Sequence, residues 1–140
     1  MKVTVEWKGN MLFKGVGARG TAFMDTSSQF NGQESFPSPK EFILFGLAGC
    51  TAMDVVSILK KMKQDVHAFD IDVNAPVAEE EPHPFSSYHI IYKLWGKGIE
   101  KDKVEKAVTL SQEKYCGVSA TLAKSGPVTW EIQLFEGEKE

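Results

Sequence analysis

The chain has 140 residues and a mass of 15.5 kDa, the size of one domain, and we expect a single domain over 1–140. Hydrophobic residues make up 42% and charged residues 25%, a balance that fits a soluble fold needing no disulfide or metal staple. The net charge of −3 and the pI of about 5.7 argue against a grip on nucleic acid or anionic membrane, the opening MKVTVEWKGN has no apolar core of a secretory signal, and no apolar run is expected to approach the roughly 18 residues of a membrane span.

Val3, Val5 and Trp7 alternate with Thr4, Glu6 and Lys8, the period of a half-buried strand. Gly9-Asn10 marks a turn, Met11 to Val16 resumes an extended pattern, and Gly17-Ala18-Arg19-Gly20 is a second tight turn before a third strand, Thr21 to Met24. Residues 25–37, polar and turn-rich, read as a loop. Ser38-Pro39-Lys40-Glu41 then opens a helix, with a capping residue, Pro at the first position and Glu at the third. No stop occurs before Met62. Phe42 to Cys50 is apolar on every face, so this half of the helix is expected to be buried all round. Gly46 and Gly49 each cost up to about 1 kcal/mol there against Ala, which predicts close approach of another backbone.

Phe69, Ile71, Val73, Ala75 and Val77 alternate as a long strand. The acidic turn Glu79-Glu80-Glu81-Pro82-His83-Pro84 returns the chain into a second strand, Phe85 to Leu94, expected antiparallel to the first. Asp102 and Glu105 have capping-box spacing and predict a helix ending near Cys116-Gly117. Ser119 to Lys124 reads as a short helix, Gly126-Pro127 breaks it, and Val128, Trp130, Ile132 and Leu134 alternate as the last strand. The order βββ-α-ββ-αα-β is an α+β domain. One sheet of this size has difficulty covering all faces of so apolar a helix, which points to a second subunit.

Cys50 and Cys116 are the two cysteines. In a chain read as cytoplasmic, such a pair is catalytic, redox-sensing or simply buried rather than a structural disulfide. Small neighbours, Gly49, Thr51, Gly117 and Ser119, leave each accessible. A cysteine attacks an electrophile only as thiolate. Cys50 lies too far into its helix for the dipole to help, and Asp54 at i+4 would oppose ionisation, so reactivity requires a cation from elsewhere. All sixteen basic residues except Arg19 are lysines, which leaves two readings of Arg19: an exposed turn residue, or that cation. Glu41 is a capping residue that could also orient an arginine as a bidentate pair. Nine residues of unbroken helix turn by about 900° and rise about 13.5 Å. Glu41 and Cys50 can therefore share a site only if the helix breaks or a second subunit supplies the glutamate. His67, His83 and His89 are too scattered for a metal site, and no phosphate-binding or nucleophile-elbow motif occurs.

SPKEFILFGLAGCTAMDVVSIL, KYCGVSATL and the EEEPHPF turn resemble the OsmC/Ohr family of thiol peroxidases, over nearly the whole chain. The resemblance implies an intertwined homodimer whose long helices are buried together, reducing organic hydroperoxides with electrons from an external dithiol. By position it makes Cys50 the peroxidatic thiol, Cys116 the resolving thiol, and Arg19 and Glu41 the family's arginine and glutamate. It implies no metal or other cofactor. A non-catalytic binding dimer and a disulfide switch without turnover are the competing readings.

Overall fold

The computed structural model describes all residues, Met1–Glu140, and is α+β with two three-stranded sheets. The chain forms two compact units, Met1–Phe45 and Gly46–Glu140.

The first unit is an antiparallel meander of β1 (Thr4–Trp7), β2 (Phe13–Gly17) and β3 (Gly20–Met24). Asn10 takes a left-handed conformation in the first turn, as a Gly-Asn turn demands. Ala18 and Arg19 form the two-residue tip of the second hairpin. The following loop, with one 3₁₀ turn at Ser28–Phe30, is organised by Asp25. Its buried carboxylate accepts the N–H groups of Thr26, Gln33 and Ser35 at 2.8, 3.2 and 3.2 Å. These bonds hold it below the usual carboxylate range, the Thr26 N–H most of all. Gly32 is required in this loop because a Cβ there would lie 1.9 Å from the Thr26 carbonyl oxygen.

Helix α1 runs unbroken over Pro39–Lys61. Its start is the expected reciprocal capping box: the Ser38 N–H donates to Glu41 Oε2 at 2.7 Å and the Glu41 N–H to Ser38 Oγ at 3.3 Å. Within the single chain, burial does not surround its first half: Ile43 and Phe45 are 44% and 53% exposed, and a Cβ on Gly46 or Gly49 would meet nothing within 4 Å. Contrary to the expectation that no apolar run approaches a membrane span, the helix is long and apolar enough to cross one by length and composition, as the core helix of a soluble protein can also be.

The second unit holds the rest of α1 and the sheet β4-β5-β6, formed by Asp65–Asn74, Tyr88–Lys97 and Val128–Glu136. β5 is central. It pairs with β4 antiparallel, as expected, and with β6 parallel. Tyr88, Ile90, Tyr92, Leu94 and Gly96 alternate as its buried face, and α1 buries Leu47, Thr51, Val55 and Leu59 at four-residue intervals. β4 begins at Asp65 rather than Phe69 because an irregularity between Val66 and Ala68 interrupts the alternation that would have marked its start. Past Asn74 the ladder gives way to one bridge, Val77–Phe85.

β5 and β6 are joined by α2 (Lys101–Leu110), a wider turn over Ser111–Tyr115, and α3 (Gly117–Leu122). α2 starts one residue before the expected capping residue Asp102, with Glu100 at its N-cap and no side-chain cap. Glu100 is instead committed to Lys103 at 2.7 Å and Gln64 at 3.1 Å.

Candidate active site

Cys50 and Asp54 are one turn apart on α1, next to the buried row of Thr51 and Val55. The other half comes from the β5–β6 crossover. Its wider turn is of π type: the Cys116 N–H reaches back five residues to the Ser111 carbonyl at 2.7 Å. Such single-turn π insertions recur at functional sites. The inserted turn ends the helix at Cys116, which becomes the N-cap of α3 and accepts the Ser119 N–H on its sulfur at 3.3 Å.

The two sulfurs and an Asp54 carboxylate oxygen lie within 4.8 Å of one another. Both cysteines are free thiols, Cys50 half-buried and Cys116 3% exposed. This spacing allows the thiols to condense with modest side-chain movement.

A buried hydroxyl network holds Asp54. Ser111 Oγ donates to Asp54 Oδ2 at 2.9 Å and lies 2.8 Å from Thr51 Oγ1, which lies 2.7 Å from the Tyr92 hydroxyl. The Gln112 amide donates to both Thr51 Oγ1 and the Tyr92 hydroxyl, at 3.1 and 3.0 Å. Tyr92 is the middle of the sheet, paired with Ile71 on one side and Ile132 on the other. Burial pushes its phenol up to about 12, so it acts only as a neutral hydrogen-bonding group.

Burial also pushes the Cys50 thiol above its ordinary range, with the nearby Cys116 and Asp54 adding to the shift; the Val118 backbone N–H opposes it. The groups that reach the Asp54 carboxylate are the Ser111 hydroxyl and the two thiols. Of the four residues singled out in the sequence, Cys50 and Cys116 meet. Glu41 is exposed in its capping box, and Arg19 is exposed at the β2–β3 hairpin tip. Thr51, Tyr92, Ser111 and Gln112 had no sequence signal. Each is an ordinary polar residue on a helix or strand, and only the topology shows that three separate segments, α1, β5 and the π turn, converge.

Residues 32–131 match the family described as OsmC-like protein. The protein YhfA of Escherichia coli K12 is 34% identical over 134 residues, covering 96% of this chain and 98% of its own. The fold is similar to that of a protein from Aquifex aeolicus VF5, with a TM-score of 0.85, 27% identity and coverage of 98% and 97% of the two chains. It is also similar to the organic hydroperoxide resistance protein OhrB of Bacillus subtilis, with a TM-score of 0.64, 14% identity and coverage of 95% and 98%; at that identity the likeness is one of fold.

Proposed function

Given that the chain belongs to the OsmC-like family, we propose that it is a single-domain, cytoplasmic, homodimeric thiol peroxidase that reduces organic hydroperoxides through a two-cysteine cycle. The observation that carries this reading is the proximity of two free thiols, with both sulfurs in one cluster no wider than 4.8 Å.

The Cys50 thiolate attacks the terminal oxygen of the hydroperoxide and breaks the O–O bond. The sulfur is oxidised to sulfenic acid and the other oxygen leaves as alkoxide, which takes a proton to become the alcohol. Cys116 then attacks the sulfenic sulfur, and a disulfide forms with loss of water. An external dithiol reduces the disulfide by thiol–disulfide exchange and returns both thiols. Arg19 stabilises the thiolate and the departing alkoxide, and Glu41 orients its guanidinium. Unbroken helix separates Glu41 from Cys50 by two and a half turns, so a partner subunit contributes the Arg19–Glu41 pair. No metal, haem or flavin takes part.

A second reading, a disulfide switch without turnover, is favoured by the upward shift of the Cys50 thiol, which lowers its thiolate fraction at neutral pH. Steady-state consumption of cumene hydroperoxide and of hydrogen peroxide, with dihydrolipoamide, dithiothreitol or glutathione as reductant, separates the two. The peroxidase consumes many equivalents per chain with a dithiol and prefers the organic peroxide. Consumption of a single equivalent would leave a switch, and none would leave a binding protein.

A further inference from the structure

We infer that Cys50, Cys116 and Asp54 form an open three-ligand site for zinc, occupied when both thiols are reduced. The inference does not rest on the peroxidase reading, because metal binding needs only the thiols and the carboxylate.

The three donor atoms already lie within 4.8 Å of one another. Around a tetrahedral zinc ion, ligand atoms at the usual Zn–S and Zn–O distances stand about 3.5–3.8 Å apart, so small side-chain rotations close the set. Cys50 and Asp54 are at i and i+4 on α1, the spacing by which a helix presents two ligands on one face. Cys116 is fixed at the junction of the π turn and α3 by its own N–H bond and by the Ser119 N–H on its sulfur. All three ligands therefore sit on ordered backbone.

The surroundings also suit a metal. Asp54 is oriented by Ser111, which is held by Thr51, which is held in turn by Tyr92 and Gln112. Outer partners of this kind fix a ligating carboxylate and tune its metal. Every side chain in that shell is neutral, so nothing in it balances the charge that two thiolates and a carboxylate would carry together. Ser119, whose N–H binds the Cys116 sulfur, has the chain's single buried side-chain oxygen without a hydrogen-bond partner. Two thiolates and one carboxylate select zinc over magnesium or calcium. Zinc displaces a proton from each thiol and forms two Zn–S bonds with no change of oxidation state. The fourth position is left to water. Zinc-bound sulfurs cannot join as a disulfide, so metal occupancy and oxidation exclude one another.

The test is titration of reduced, metal-free protein with cobalt(II), followed by displacement with zinc in competition with a chromophoric chelator. The expected result is one cobalt per chain with a thiolate-to-cobalt charge-transfer band, and two protons released per zinc. The band should fall by about half in Cys50→Ser or Cys116→Ser. Ser111→Ala, which touches no metal, should lower zinc affinity about 10–100-fold while keeping the band. Asp54→Asn should weaken binding at least as much, with circular dichroism confirming the fold of each variant. Absence of the band, or Asp54→Asn binding zinc as tightly as the parent, overturns the site. Peroxide consumption on the same samples with a chelator keeps the two readings apart: turnover without metal binding removes the zinc site alone, and metal binding without turnover removes the enzyme alone.

Discussion

Asp54 opposes ionisation of the cysteine one turn before it. Burial is the larger cause of the raised Cys50 thiol, and the charges of Cys116 and Asp54 add to it. Alkylation needs thiolate, so Cys50 should react slowly near neutral pH and faster as pH climbs toward its raised pKa. Asp54→Asn removes one opposing charge and should move the whole profile to lower pH, with alkylation by iodoacetamide near neutrality faster by up to about tenfold. Coincident profiles, read by mass spectrometry of the Cys50 peptide, would remove Asp54 from the thiol's electrostatics. Arg19 acts in the other direction under the proposed mechanism. Arg19→Lys keeps the charge but loses the fork that pairs a carboxylate, and should cost about 10²–10³ in peroxidase rate. If Arg19→Lys and Arg19→Ala both turn over like the parent, the arginine is a solvated turn residue and its step drops out of the mechanism. Thr51 matters through its hydroxyl alone. Thr51→Val keeps the shape but strips the bridge between Tyr92 and Ser111, and should cost about 1–3 kcal/mol in urea unfolding.

At the scale of elements, helix boundaries were legible where side chains meet backbone. Ser38 and Glu41 spell a capping box and form one. The apolar alternation from Phe69 onward spells a strand, but the irregularity beside His67 hides its first residues. The π turn was not legible, because Ser111–Tyr115 has no residue that marks an extra backbone position. Nor was the parallel pairing of β6 with β5, since alternation gives a strand's faces and not its neighbour. The π turn carries a sharp consequence for the thiols. Inserting one residue within 112–115 should carry Cys116 about 100° further around the axis, because the turn already holds the one extra residue of a π insertion. The fold of the sheet should persist, while mild oxidation no longer yields the Cys50–Cys116 disulfide. An intact disulfide in that variant, found by thiol counting, would mean the turn is not what places the cysteine.

For the whole molecule, the exposed apolar residues of α1 are the feature to be accounted for. Ile43, Phe45 and Met53 stand 44%, 53% and 76% exposed, and β1 exposes Val3, Val5 and Trp7. Patches of this kind mark contact surfaces, and the sequence reading had already asked for cover on every side of this helix. A second copy supplies it under the proposed homodimer. Phe45→Glu buries a charge in such a contact and should shift the protein to a monomer by light scattering, with loss of peroxide turnover if the site is shared. A parent that is monomeric at micromolar concentration removes both the dimer and the shared site, and binding to neutral lipid vesicles in its place would give the helix a membrane surface to cover it.

The pairing of β5 with β6 also bears on how the chain is made. Each pair in that ladder joins residues about 40 positions apart, and β6 leaves the ribosome after every other strand. Until it does, the central strand keeps one side unpaired, with backbone groups open to any passing extended segment. During this interval the ladder that anchors the far end of the Cys116 crossover has not formed. The nascent protein therefore passes through a stage with two loose thiols and a sticky sheet edge. Pairing of β6 with β5 closes both at once.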